Sequence, residues 1–257
     1  MSESLRDDSL RLDFFDCNLQ IGRTSAPGPG VPFDAREIMA RLEPLGIRRG
    51  LAFHSLSKEL HPIDGNQTVL DEVRGLPLEV CWAAMPHQTG EMPAPDEFVR
   101  RMRQAGAKAV RLFPVLHQFS LDDWCAGELL SALEGSCVPV LLDMSQAGYD
   151  QIASMLRSHP ALRLVLLQPS YRCDHFLYPL LERYEHLAVE TSNYVGSGAM
   201  EEVWRRFGPR RLVFGTGMPF TEPGAAVSHL TYAELDHADK QRIAAGNLEE
   251  LLSWDHR

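Results

Sequence analysis

In the opening segment L-D-F-F-D-C-N-L-Q-I-G, Leu12 to Gly22, an apolar start is followed by Asp16, Asn18 and Gln20 at alternate positions. Alternate residues of a strand share a face, so Asn18 and Gln20 point the same way at the strand's C-terminal end. Four further apolar runs end in chemistry-bearing groups: G-L-A-F-H in His54, A-K-A-V-R-L-F around Arg111, V-P-V-L-L-D in Asp143 and L-R-L-V-L-L-Q in Gln168. Asp143 is the strongest candidate for moving a proton, because a carboxylate closing an apolar strand has a perturbed pKa unless paired. His54 is either its acid-base companion or a hydrogen-bonded wall residue. Arg111 shares a strand face with Ala109 and Phe113, and its planar fork suits two partners: the carboxylate of a ligand, or Asp143 itself. His87 and His117 stand in loops and read as solvated.

Two strand faces need assigning. In L-A-V-E-T-S-N only one of Glu190 and Thr191 can face inward; Thr191 and Asn193 share one face, Glu190 and Ser192 the other. Asn193 is taken as a binding residue. Cys17 alternates with Asp16 and Asn18, which sends it to the opposite side from them as a small hydrophobe. No G-x-S-x-G marks a nucleophile elbow.

The elements that would hold these groups alternate along the chain. Strands are expected at Leu12 to Phe15 and its polar continuation, Gly50 to His54, Leu78 to Met85, Ala107 to Phe113, Val138 to Asp143, Arg163 to Gln168, Leu187 to Thr191 and Arg211 to Gly215. Helical spacing of apolar residues appears between them, as in Ile38, Leu42 and Leu45, with Pro95 opening one helix and Ser120 capping another. Eight strand-helix units close most naturally into a single (β/α)8 barrel over residues 11–257, preceded by a flexible N-terminus at 1–10. In such a barrel the strand ends gather at one mouth.

Composition narrows the partners. The chain has 257 residues, 44% of them hydrophobic, and a formal charge of −10 without a basic run. That excludes nucleic acid and anionic membrane surfaces as natural partners. The five cysteines are odd in number and lack a C-x-x-C spacing, so neither a disulfide framework nor a thiolate metal site is expected. With no long apolar run or leader-like segment, the expected location is cytoplasmic. A small, anionic substrate is expected, and a homo-oligomer is compatible with this surface.

The strand-end pattern resembles the amidohydrolase superfamily, in its amidohydrolase-related branch of hydrolases, aromatic-acid decarboxylases and lactonases. D-C-N-L-Q-I-G is similar to the first-strand motif D-x-H-x-H-x-G, whose histidines bind a catalytic metal, with Asn18 and Gln20 in their places. Asp143 and Gln168 stand where the motifs of strands five and six carry metal-binding histidines. R-R-L-V-F-G-T-G-M-P-F resembles F-G-S/T-D-x-P-F, with Gly217 where the general-base aspartate would be, and A-A-G-N-L-E-E-L-L resembles the family's C-terminal G-N-A-x-x-L-L. The resemblance implies a barrel that lacks the metal ligands, and no cofactor or metal is expected. Two functions follow. One is a metal-independent hydrolase, lactonase or lyase acting on a small carboxylated substrate, with Asp143 and His54 catalytic and with Arg111, Asn18, Gln20, Gln168 and Asn193 holding the substrate. The other is an inactive pseudoenzyme that binds a ligand or protein partner. Gly217 is expected to leave a gap that widens the pocket on its side.

Overall fold

A computed structural model describes residues 11–256 apart from 27 and 171, and the side chains of 255 and 256 are not described. Residues 1–10, expected to be a flexible N-terminus, lie outside the described residues, as does residue 27 of the Pro/Gly loop. The strands are β1 (Phe14–Ile21), β2 (Ile47–His54), β3 (Leu78–Ala84), β4 (Ala107–Leu112), β5 (Val140–Asp143), β6 (Leu164–Leu167), β7 (Leu187–Glu190) and β8 (Leu212–Val213). All are parallel neighbours in sequence order. Backbone bonds from Cys17 N to Phe214 O (3.0 Å) and from Gln20 N to Met218 O (2.9 Å) join the last strand to the first. The result is the expected single (β/α)8 barrel.

Between the strands lie α1 (Ala35–Leu42), α2 (Ser55–Glu59), α3 (Pro62–Glu72), α4 (Pro95–Ala105), α5 (Asp123–Gly135), α6 (Tyr149–Ser158), α7 (Asp174–Arg183) and α8 (Ala199–Phe207), and α9 (Pro223–Tyr232) follows β8. Local chemistry explains their limits. Pro95 opens α4 with Asp96 and Glu97 in its first turn, and Gly106 ends it in the left-handed region. Helix α5 begins later than expected: its N-cap is Asp122, and Ser120 instead donates its hydroxyl to that carboxylate at 2.8 Å. After α10 (His237–Gln241) and a π-helical turn, α11 (Asn247–Leu252) crosses the strand starts. Asn247 donates to Leu212 O (2.7 Å), Glu249 pairs with Arg49 (2.7 Å) and Trp254 donates to Lys108 O (2.6 Å). These anchors on β8, β2 and β4 close the bottom of the barrel, leaving the opposite mouth for chemistry.

Alternation along each strand sorts the apolar residues into two clusters. The outer one, including Phe14, Leu19 and Ala52, packs against the helices. The inner one fills the barrel and takes Phe15 and Cys17 from β1, Phe53 from β2, Ala109 from β4, Leu141 from β5 and Ala188 from β7. The large ones, Phe15, Phe53 and Leu141, each contribute roughly 1.5–3 kcal/mol when fully buried. β1 is irregular: Asp16 pairs with Gly50 but Leu19 with Ala52, so three steps on β1 match two on β2. This bulge turns the adjacent Cys17 and Asn18 both inward. Cys17 therefore faces the barrel interior, not the helix layer expected from simple alternation.

Candidate ligand site at the barrel mouth

Arg111 is the centre of the mouth. It stands one step above Ala109 on the inner face of β4 and is only 6% exposed. Its Nη1 donates to Asn18 Oδ1 at 2.8 Å, and its Nη2 lies 3.5 Å from Asp143 Oδ2. The guanidinium plane sits over Phe53 at 4.4 Å and near Phe113 at 5.6 Å, contacts that keep it desolvated and oriented. Burial lowers its pKa, opposed chiefly by Asp143; an arginine so placed still carries its charge. Asp143, inward with Leu141, also accepts from Ser145 N at 2.8 Å.

Around this cation the polar atoms without partners are donors. Among the described residues, Asn18 Nδ2, Gln20 Nε2 and Arg111 Nε are buried without a hydrogen-bond acceptor. Asn18 and Gln20 are 3% and 4% exposed. Each unmet donor costs on the order of 1–3 kcal/mol, a cost that an oxyanion or carbonyl oxygen would remove.

Two carboxylates lie deeper. Asp16, in the β1 bulge, accepts from Asn18 N (2.9 Å), Thr216 N (3.0 Å) and the Thr216 hydroxyl. Burial nonetheless raises its pKa to about 6. Glu190 is inward on β7, beyond Ala188, and accepts from Gln168 N (3.0 Å), Ser192 N (2.7 Å) and Ser192 Oγ (2.9 Å). Burial raises its pKa to about 7, over the opposition of those three donors. Of the pair in doubt at the end of β7, it is Glu190 that faces the axis.

The expected site residues separate into those that meet and those that do not. Asn18, Arg111 and Asp143 are in contact, and Gln20 follows Asn18 on the same face. His54 does not join them. Phe53 takes the inward position at the end of β2, so His54 turns to the helix side. Its Nδ1 accepts from Leu56 N at 3.1 Å, capping α2, and its Nε2 lies 3.4 Å from Glu72 of α3. Burial lowers its pKa. Asn193 stands exposed at the rim and donates to Gln168 O at 3.1 Å. His87 is drawn toward Glu128 of α5.

Gly217 leaves no gap. A Cβ built on it would come within 2.8 Å of both Gln168 Nε2 and Thr221 Oγ1. Its φ of 73° is left-handed, which suits glycine. The Gln168 amide and Thr221 occupy the space that the missing side chain was expected to open. Met218 is buried and Phe220 is half exposed at the rim.

Sequence reasoning missed Lys58. It lies on α2, a five-residue helix directly after β2. The ammonium is half-buried, and its electrostatic neighbours are Arg111, Asp143 and Glu59, with burial lowering its pKa most. The signal was the polar S-L-S-K-E segment following His54, too short for a periodic pattern.

Among the described residues no group of three or more His, Cys, Asp and Glu side chains is placed to hold a metal ion. No helix among them is long and apolar enough to cross a membrane.

The family model described as Amidohydrolase matches residues 66–254. No curated protein matches the chain. Among solved structures, 2,6-dihydroxybenzoate decarboxylase from Rhizobium aligns with a TM-score of 0.75 at 13% identity, covering 95% of this chain and 100% of that one. An uncharacterized TIM-barrel protein from Bordetella bronchiseptica aligns with a TM-score of 0.74 at 15% identity, covering 96% and 100%. 5-Carboxyvanillate decarboxylase from Novosphingobium aromaticivorans, complexed with manganese and 4-hydroxy-3-methoxy-5-nitrobenzoic acid, aligns with a TM-score of 0.74 at 13% identity, covering 97% of both chains. At these identities the likeness is one of fold.

Proposed function

Because the chain belongs to the amidohydrolase family, we propose that its mouth binds a small carboxylated substrate through a guanidinium standing in place of the family's metal. We further propose that it acts as a metal-independent hydrolase, lactonase or lyase. The carrying observation is the set Arg111, Asn18 and Asp143, in which a fixed cation is bound to side chains at two of the family's metal-ligand positions.

The donor chemistry does not fit zinc, iron or manganese. Carboxamide oxygens are weak ligands for these ions, and Asn18 has already given its oxygen to Arg111. Asp143, the strongest remaining ligand, faces the same guanidinium. A second cation at about 4 Å from Arg111 is opposed by on the order of 4 kcal/mol per pair of unit charges at an effective dielectric near 20, and a divalent ion by about twice that. A carboxylate reverses the sign: Arg111 Nε, Asn18 Nδ2 and Gln20 Nε2 offer it three unused donors.

The chain's own residues divide the work. Arg111, Asn18 and Gln20 hold and orient the substrate carboxylate. Asp143 keeps partial access to solvent, with its side chain 15% exposed, and is the group that takes or returns a proton. The Ser145 amide and Arg111 hold that carboxylate in place. The competing reading is an inactive pseudoenzyme, in the form whose mouth holds no small ligand and where Arg111 only neutralises Asp143. It is favoured by Gly217, which brings no general base to the end of strand eight.

Calorimetric titration of benzoate and butyrate into the wild type, Arg111→Lys and Arg111→Ala separates the two, with unfolding measured in parallel. The substrate reading expects binding that weakens roughly ten- to a hundredfold in both variants, the loss of one bidentate charged contact. No binding by the wild type, together with a loss of about 3–5 kcal/mol of stability in Arg111→Ala, supports the pseudoenzyme. Elemental analysis finding one transition-metal ion per chain would overturn the metal-independent reading.

A further inference from the structure

Building on the reading of Arg111 as the carboxylate holder, we infer that Lys58 is the second cation of the same site and that the ligand carries two anionic groups. One group is held at depth by Arg111, Asn18 and Gln20, the other at the rim by Lys58.

The placement of Lys58 is built. Helix α2 is tied to the end of β2 by Leu56 N donating to His54 Nδ1 (3.1 Å) and Ser57 Oγ donating to His54 O (2.6 Å). Its far end is tied across the mouth, where His117 Nε2, in the loop after β4, donates to Lys58 O at 3.2 Å. The helix that bears Lys58 is thereby fixed to the loop leaving the strand that bears Arg111. The His54 ring, set aside from the chemistry, serves as part of this mounting.

The hydrogen-bond donors at the mouth outnumber the acceptors offered to them. The Lys58 ammonium is half-buried and, among the described residues, makes no hydrogen bond or ion pair, while Arg111 lies near enough to repel it. Glu59 has turned its carboxylate to Ser25 N at 2.7 Å, and Asp143 is already shared between Ser145 N and Arg111. Lys58 is thus left without a direct partner, Glu190 near Arg111 having its oxygens already met by Gln168 and Ser192, and the three orphaned atoms at Asn18, Gln20 and Arg111 are donors. Two fixed cations and a surplus of unmet donors at one barrel mouth recognise an anion. The depth difference between buried Arg111 and half-buried Lys58 calls for two separated anionic groups in preference to one. A dicarboxylate has that form.

Succinate, glutarate and isophthalate are titrated calorimetrically against butyrate and benzoate with the wild type, Lys58→Met, Lys58→Arg and Arg111→Ala. Lys58→Met should weaken the dicarboxylates roughly ten- to a hundredfold, the effect of one charged hydrogen bond, and leave the monocarboxylates within about threefold. Lys58→Arg should retain the dicarboxylate preference. Monocarboxylate binding that needs Arg111, with no preference for two carboxylates or none lost in Lys58→Met, overturns the inference and leaves the Arg111 reading standing. An equal loss of both classes in Lys58→Met also overturns it. If neither class binds the wild type, both fall.

Discussion

Glu190 should make the protein less stable as pH rises from about 4.5 to about 7, the reverse of ordinary carboxylate behaviour. Its carboxyl is sealed in the barrel with Asp16 and Cys17 beside it on β1, Arg111 across on β4, and the Gln168 and Ser192 donors against its oxygens. Burial outweighs the donors and lifts the pKa from 4.5 to about 7 in the folded chain. Between those two values the unfolded chain is ionised while the folded chain holds the proton, so folding takes up a proton and stability falls by 1.36 kcal/mol per pH unit. Across the whole window the loss comes to about 3 kcal/mol, complete above about pH 7 and absent below about pH 4.5. To isolate it, urea unfolding of the wild type and Glu190→Gln is followed at constant ionic strength in steps from about pH 4.5 to 8. The stability of the wild type relative to the variant should decline by about 3 kcal/mol, because glutamine does not titrate. A difference that stays level, or in which the wild type gains as pH rises, would refute the reasoning. It would mean that the three donors hold Glu190 ionised.

Three smaller effects follow from the same geometry. Gly217→Ala must place a Cβ against Gln168 and Thr221 at a left-handed φ; about 1–2 kcal/mol should be lost, or roughly 2–8 °C in Tm, and a Tm equal to wild type would show the space to be open. His54→Ala removes the α2 cap and should cost about 0.5–2 kcal/mol in chemical denaturation while hydrogen exchange in α2 accelerates; unchanged exchange there would place the ring's role elsewhere. Thr216→Val withdraws the hydroxyl from Asp16 and should cost about 1–3 kcal/mol near pH 8 but less near pH 5, where the carboxyl, whose pKa is about 6, holds its own proton. A cost independent of pH would contradict that assignment.

Much of the barrel was legible because its strands are short apolar runs ended by polar groups, and Ala109, Arg111 and Phe113 alternate as an inward row without interruption. The same rule misplaced Cys17, since a bulge is a matter of backbone pairing with β2 that no side-chain pattern on β1 reports. At the end of β7 the pattern left Glu190 and Thr191 tied; packing of Ala188 into the barrel decided it. Gly217 was legible as a missing side chain but not as a filled space, because Gln168 arrives from a distant strand end. Helix α2, and Lys58 with it, escaped because five residues make too little periodicity to read.

The bulge gives β1 something like two reading frames. Upstream of it Phe15 and Cys17 point inward; downstream the inward set is Asn18 and Gln20, and Leu19 and Ile21 pack outward. The floor of the barrel and the chemistry of its mouth are therefore encoded on one strand in different phases. Removing Cys17 would leave two steps on β1 against two on β2, so the bulge closes, Asn18 takes the inward place that Cys17 held, and Gln20, Leu19 and Ile21 keep their faces. One deletion, with no substitution at all, would put the floor and the mouth into a single phase.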